Sequence, residues 1–459
     1  MRYLPPVLSL VLPLVLAACS GPDVEDDPLP TDTNLEPVGG PALKFRGRVP
    51  KNLLFLSIDT FRKDHLTAYG GDDLTPFIDR IASEGMTLDD HMQCSNWTFA
   101  STTCTLAGRY NIERGHIPRL NGNDANRPPV PPGTKFLASW LHDAGFYSVI
   151  VSGNDWLSSN WGNTQGYDEA LKPNGSAPQV WSTGQKAIRQ AIDGGADRWF
   201  LHLHFMEPHA SYDPPMSNVT GEDLLEPWPE DLTDRDTHYK WRDEWPNLAD
   251  EDRDLLAAHL RNLYDGEIRT IDERLADIWD DLDREGYLDD TLVVLWNDHG
   301  EQFWEHNHQT HAFAMHGEEN DAFAIFWARN IIPGHYTAPT SSIDLVPTVL
   351  DTFGIERPPE VTGFVVGTAP ADRPRFGESL ARLGGINMIE HDGLKMQFYW
   401  TGAVTVFDRK VDPLETTNVF DPADPEQLKL WAQLKPMAMQ MSALIVGGSP
   451  TPNYPSTLP

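Results

Sequence analysis

Three cysteines in 459 residues are too few to form a disulfide scaffold, and the absence of any CxxC pair argues against a cysteine-ligated zinc site. Basic residues are scarce as well. Only 35 Lys and Arg stand against 68 Asp and Glu, a formal net charge of −33. So acidic a surface repels a phosphate backbone and argues against nucleic acid as a partner. It also means that an anionic substrate must be held by a local site or a metal ion. The chain contains no internal repeat, and its N-terminal apolar run is too short and too broken by proline to span a membrane. Core material is abundant: 40% of residues are hydrophobic and 10% aromatic, 15 of them Trp, which excludes disorder along the whole chain. The length suits one large α/β domain with a small appendage.

Residues 1–19 (MRYLPPVLSLVLPLVLAAC) place one Arg before the apolar run and small residues before Cys19, the layout of a secretory signal. Leu16-Ala17-Ala18-Cys19 resembles the bacterial lipobox, after which the Cys is lipidated; the alternative is an ordinary signal peptide with Cys19 incidental. The stretch 20–43 is acidic and rich in Pro and Gly, as a tether between membrane and domain should be. The expectation is an exported lipoprotein of the bacterial cell envelope, at the outer membrane or cell surface, anchored through Cys19. Cys94 and Cys104 lie ten apart, and a local disulfide and two buried thiols are both open readings.

Hydrophobic patterning predicts strands at Lys51–Thr60, Phe146–Val151, Trp199–Phe205, Leu292–Trp296 and Ala322–Trp327. Alternate residues of the third are His202 and His204. Helices are predicted at 74–85, Phe136–Ala144, Leu255–Leu282 and Ser342–Phe353. Alternating helices with near-continuous apolar strands indicate an α/β fold, its mainly parallel sheet covered on both faces. Residues 213–252 read as a Pro-, Trp- and acid-rich surface insertion. Beyond Arg357, short strand-like pieces (Met396–Trp400, Ala403–Phe407) suggest a small antiparallel subdomain.

Ligands of α/β sheets sit outside the carboxyl ends of the strands. Two predicted strands end there in acids, Asp59 and the pair Asp298-His299, and together they make a plausible oxygen- and nitrogen-ligated divalent metal site. Ser95–Arg109 sets Thr98 near a helix N-terminus, where backbone N–H groups favour an anion; a simple N-cap role for Thr98 or Ser101 is the alternative.

The segments NLLFLSIDTFRKDHLTAYG, TFASTTCTLAGRY, MEPHASYDPP, TLVVLWNDHGEQFWEH, SIDLVPTVLDTFGI and VFDRKVDPLETTNVFD, in that order, resemble the sulfatase family of the alkaline-phosphatase superfamily. The resemblance covers residues 50 to 421. It implies a mixed, mainly parallel central sheet flanked by helices with a small C-terminal antiparallel subdomain. Together with the N-terminal reading, the expected organisation is a lipoprotein signal at 1–19, a tether at 20–48, a catalytic domain at 49–356 and the subdomain at 357–459. The resemblance also implies one divalent ion (Ca, Mn, Mg or Zn) held by Asp59, Thr98, Asp298 and His299, with His209 and His311 contacting the transferred group or leaving oxygen. Many members have a second acid beside the first, where this chain has Thr60. A second ion on Glu207, His209 and His311 or His316 is the less favoured alternative.

The chain departs from sulfatases proper at the nucleophile. Their Cys-x-Pro-x-Arg, whose Cys becomes formylglycine, corresponds here to Thr98, Ala100 and Thr102, so no formylglycine is expected. Their GKWHLG segment aligns with residues 152–157, leaving Gly153 and Asp155 in place of the sulfate-gripping Lys and His. Thr at this slot resembles the branch of nucleotide pyrophosphatases and phosphoethanolamine transferases, which attack phosphorus with a metal-bound Thr. The expected activity is hydrolysis or transfer of an anionic phosphate, phosphonate or sulfate ester, phosphorus preferred, on a glycan, lipid headgroup or small molecule. The alternatives are a true sulfuric ester hydrolase and an inactive anion-binding relative.

Overall fold

Eight strands build the central layer of the protein, here a computed structural model that describes residues 35–116, 118–119, 129–221, 224–382, 384–444 and 458. The lipobox reading, with Cys19, lies outside the described residues. The strands are Asn52–Ile58 (β1), Met86–Leu88 (β2), Phe146–Ser152 (β3), Glu169–Leu171 (β4), Arg198–Phe205 (β5), Thr291–Asn297 (β6), Ala324–Trp327 (β7) and Gly334–Tyr336 (β8). Their order is β8-β2-β7-β6-β1-β5-β3-β4, and β7 alone runs against the rest. The helices are Pro76–Glu84 (α1), Thr98–Ala107 (α2), Leu137–Asp143 (α3), Ala177–Asp193 (α4), Arg235–Glu244 (α5), Asp250–Arg284 (α6), Leu345–Thr352 (α7) and Pro425–Leu444 (α8).

The period-2 alternation of β1, β5 and β6 assigns each residue to a face. Leu54, Leu56, Leu201, Leu203, Val293 and Leu295 pack with α1, α4 and α6. Phe55, Phe200, Val294 and Trp296 pack with α2, α3 and α7. The central strands are buried on both sides, as the near-continuous apolar runs predict. Arg375–Ala381 (β9), Gly384–His391 (β10), Leu394–Tyr399 (β11) and Val404–Asp408 (β12) form an antiparallel C-terminal sheet. Helix α8, not anticipated from its Pro436-containing sequence, covers that sheet with Leu430, Trp431, Leu434 and Met441. The same cluster holds Cys94 and Cys104, which are joined as a disulfide and tie α2 to the segment before it.

Two expectations shift. Ala322–Trp327 is not one strand. Asp321–Ala322 pairs with His91–Met92 in a separate sheet, and Phe323 breaks the run by turning its ring onto Phe61, 5.4 Å away. The insertion at 213–252 is partly helical: Asp234 caps α5 by accepting from the Thr237 N–H at 2.9 Å, and Trp245 stacks on Trp304 at 3.8 Å. Among the described residues, no helix is long and apolar enough to cross a membrane.

Candidate active site

Four neighbouring parallel strands, in the order β3-β5-β1-β6, deliver polar residues to one spot at their carboxyl ends. Asp59 follows β1, Asp298 and His299 follow β6, His204 is the penultimate residue of β5, and Asn154 lies two residues past β3. Thr98 arrives from the other side as the first residue of α2, whose ten residues are all buried.

The two acid-bearing turns lock each other. The Asp59 N–H donates to the Phe205 carbonyl (3.0 Å), the Asp298 N–H to that of Ile58 (3.2 Å), and Asp298 Oδ1 accepts from the Thr60 N–H (3.1 Å). Thr60 adopts φ 53°, a strained conformation for a β-branched residue, and the Tyr264 hydroxyl clamps it by donating to its carbonyl (2.8 Å) and accepting from the Arg62 N–H (2.8 Å). Gly300 is required on steric grounds, because a Cβ there would sit 1.9 Å from the Glu318 carbonyl oxygen.

This locking leaves Asp59 Oδ1 and Asp298 Oδ2 buried with no hydrogen-bond partner. Both lie 3.6 Å from His299 Nε2. The His299 Nδ1–H donates to the Gly300 carbonyl (3.0 Å), which leaves an Nε2 lone pair facing the acids. Burial, with repulsion from His311, lowers the His299 pKa to about 3 and keeps the ring neutral. Burial and the charge of Asp59 push Asp298 well up, whereas Asp59 is held low against its own burial by the His204 hydrogen bond. Two buried carboxylates this close cannot both ionise cheaply unless a cation lies between them. Orphaned carboxylate oxygens beside a bare imidazole nitrogen are the donor set of a divalent metal, so the residues fit the ion.

Thr98 Oγ1 faces the same point, 3.4 Å from His299 Nε2 and 3.4 Å from Asn154 Nδ2. Its N-cap, Trp97, is extended (φ −160°, ψ 151°), so α2 begins at Thr98 and its free N–H groups and positive dipole end open onto the site. Ser101 and Thr102 turn back, their hydroxyls donating to the Thr98 carbonyl. His311 completes the group: its ring lies 4.4 Å from His299 and 5.3 Å from half-buried His209, and its Nδ1 meets Glu301 Oε1 at 3.0 Å. The His209 Nδ1–H donates to the Ala210 carbonyl (2.7 Å).

Asp59, Thr98, Asp298, His299, His209 and His311 are therefore gathered together. His316 is not. Its Nδ1 meets Glu415 (2.9 Å) and its ring stacks on His306, 3.6 Å away, at the junction with the C-terminal sheet. Glu207 spends one oxygen on the Ala177 N–H at the start of α4 (3.0 Å). The second-ion set that includes His316 is thus not assembled.

Sequence reasoning passed over Asn154, His204 and Glu301. Asn154 Nδ2 donates to Asp59 Oδ2 (2.5 Å), while its neighbour Asp155 turns out to solvent and pairs with Lys172. Gly153, which stands where a sulfatase lysine is expected, has no room for a side chain: a Cβ would lie 2.5 Å from the Gly175 Cα. His204 Nε2 lies 3.3 Å from Asp59 Oδ2, and Asp59, His204 and Asp298 each offer a ligand atom within 4.8 Å of one another. The available signal was a pair of imidazoles in an otherwise apolar strand.

A family model described as Sulfatase matches residues 51–355. An arylsulfatase of Clostridium perfringens is 22% identical over 377 residues, which span 74% of this chain and 73% of that one. A solved structure described as being in complex with its substrate, D-glucosamine-2-N,6-O-disulfate, aligns with TM-score 0.66 and 18% identity over 88% of this chain and 100% of the other. The phosphonate monoester hydrolase of Silicibacter pomeroyi aligns with TM-score 0.63 and 20% identity over 85% and 94%.

Proposed function

From the premise that this chain belongs to the sulfatase family, and so is a hydrolase of anionic sulfate or phosphate esters, we propose that Thr98 is its nucleophile and that phosphorus esters are preferred. The observation that carries this reading is the position of Thr98 Oγ1, at the open N-terminus of α2 and 3.4 Å from His299 Nε2. Among the described residues, the cysteines near it, Cys94 and Cys104, are spent on a disulfide. The sulfate-gripping side also supports phosphorus, since the lysine slot at Gly153 is closed and Asp155 points away.

Asp59, Asp298, His299 and Thr98 would hold one divalent ion, which when bound supplies Lewis-acid charge neutralisation and lowers the pKa of the Thr98 hydroxyl. Thr98 Oγ forms a bond to phosphorus as the bond from phosphorus to the leaving oxygen breaks. The hydroxyl proton passes from Thr98 to solvent water before attack, and the N–H groups opening α2 take up charge on the phosphoryl oxygens. Asn154 Nδ2, within reach of both Asp59 and Thr98, orients the nucleophile. His311, held by Glu301, and His209 face the leaving side, where one protonates the departing oxygen. Water, or another acceptor hydroxyl, then releases the phosphoryl group from Thr98.

The test is to assay purified protein with Mn²⁺, Zn²⁺, Mg²⁺ and Ca²⁺ on aryl phosphate, phosphodiester, phosphonate and sulfate esters beside Thr98→Ala. Phosphorus-ester turnover that vanishes in Thr98→Ala is expected. Sulfate turnover alone overturns the phosphorus preference, and no turnover with any ion favours an anion-binding relative. The reading extends to an exported envelope lipoprotein, supported by Leu16–Cys19 and by a disulfide suited to an oxidising compartment. Mass spectrometry of the mature N-terminus tests it: a diacylated Cys19 is expected, and an unmodified or uncleaved N-terminus refutes it.

A further inference from the structure

His202 and His204 lie at 0% exposure in a strand whose other residues are almost all apolar. Placing two imidazoles there is costly unless each is fully bonded. They are bonded in series. Tyr167 OH meets His202 Nδ1 (2.9 Å), His202 Nε2 meets Ser57 Oγ (2.9 Å), Ser57 Oγ meets His204 Nδ1 (2.8 Å), and His204 Nε2 ends the chain 3.3 Å from Asp59 Oδ2. Register explains the alignment, because Ser57 pairs with His204 across β1 and β5 and so shares its face.

Such a chain has two polarities. In one, protons point toward Asp59 and His204 Nε2–H donates to the carboxylate. In the other, His204 Nδ1–H donates to Ser57, Ser57 to His202, and His202 to the Tyr167 oxygen. That leaves a lone pair on His204 Nε2, aimed at the two acids. The second polarity is what a metal-ligating histidine takes, its other nitrogen fixed by an outer hydrogen bond. The position matters because Thr60, the neighbour of Asp59, brings no charged oxygen to the ion.

Resting on the metal-dependent reading above, we propose that His204, steered by Ser57, is a ligand of the metal centre, so that the centre favours Zn²⁺, Mn²⁺ or Co²⁺ over Ca²⁺ and Mg²⁺. His204, with a ligand atom within 4.8 Å of one on each acid, and His299, 3.6 Å from both acids, would give two imidazoles beside two carboxylates, a borderline donor set. Ca²⁺ calls for six to eight oxygens and Mg²⁺ for an oxygen octahedron.

The experiment strips the whole protein with a chelator and titrates each ion by calorimetry, with the visible absorption of bound Co²⁺ as a second readout. Expected for the wild type is one ion per chain, with Co²⁺ and Zn²⁺ bound at least about 100-fold more tightly than Ca²⁺. His204→Ala should weaken Co²⁺ by more than about 100-fold and change its absorption, and Ser57→Ala should weaken it by about 10- to 100-fold. Ser57→Ala keeps the proposal testable should His204→Ala fail to fold. Wild-type affinity and spectrum in both variants, or tighter binding of Ca²⁺ than of Co²⁺, overturns the proposal and makes His204 a mere support for Asp59. If Asp59→Asn abolishes binding in that case, the metal-dependent reading still stands. If the wild type binds no ion, both readings fall.

Discussion

The site has two sides, and they differ in how tightly the backbone dictates them. On the strand-end side, Asp59 and Asp298 sit in turns that bond to each other, with Gly300 excluding any side chain and Tyr264 clamping Thr60. The second part is Thr98 at the start of α2, with Asn154 and Gly153 on the loop just past β3, and here the residues depart from the sulfatase segments that the sequence resembles. A metal site tolerates little displacement of its ligands, whereas the group that attacks and the groups that grip the substrate can be exchanged on an unchanged frame. In the reading proposed above, the ion-binding side is the fixed part of this chemistry, and the Thr98 side sets which ester is cleaved.

Substitutions on the two sides should therefore separate. Asp298→Asn is expected to have the largest effect, losing metal binding and at least about 10⁴-fold in kcat/KM together, as read by calorimetry and ester assay. Metal binding without turnover would place the chemistry elsewhere. Thr98→Ala should lose at least about 10³-fold in kcat while retaining an ion on Asp59, Asp298 and His299, which splits the two sides directly. Reduction of Cys94–Cys104, or a double Ser variant, removes the cross-link that ties α2 to the preceding segment and should cost roughly 3 kcal/mol by denaturant titration. Gly153→Ala forces its Cβ against Gly175 and should cost about 1–3 kcal/mol without creating sulfate turnover. The smallest effect is expected of Asp155→Ala, within about 0.5 kcal/mol and with near-normal kcat, since its exposed carboxylate pairs with Lys172 at the surface.

Much of the frame was legible because it is periodic. β1 and β6 read as apolar runs that stop at acids, and their parallel pairing follows from the helices between them. What stayed hidden depends on contacts between distant segments. α8 was masked by Pro436, which interrupts an otherwise helix-compatible stretch, and the break at Phe323 coincides with packing of its ring on Phe61. Spacing alone could not decide between a disulfide and two thiols, since that needs the turn of chain that brings Cys94 back to α2. His204 looked like an ordinary member of its strand, because its meaning comes from Ser57 in the next strand, 147 residues earlier. Asn154 was passed over in favour of Asp155 because a linear alignment cannot tell which of two neighbours turns inward.

The central claim is that Thr98 carries the transferred group. Acid-quenching the metal-loaded protein during turnover of an aryl phosphate, followed by peptide mass spectrometry, tests it most directly. The account predicts a phosphoryl group on Thr98 within the segment 98–109, appearing with substrate and absent from Thr98→Ala. Phosphoryl transfer through another residue, or undiminished turnover in Thr98→Ala, would contradict it.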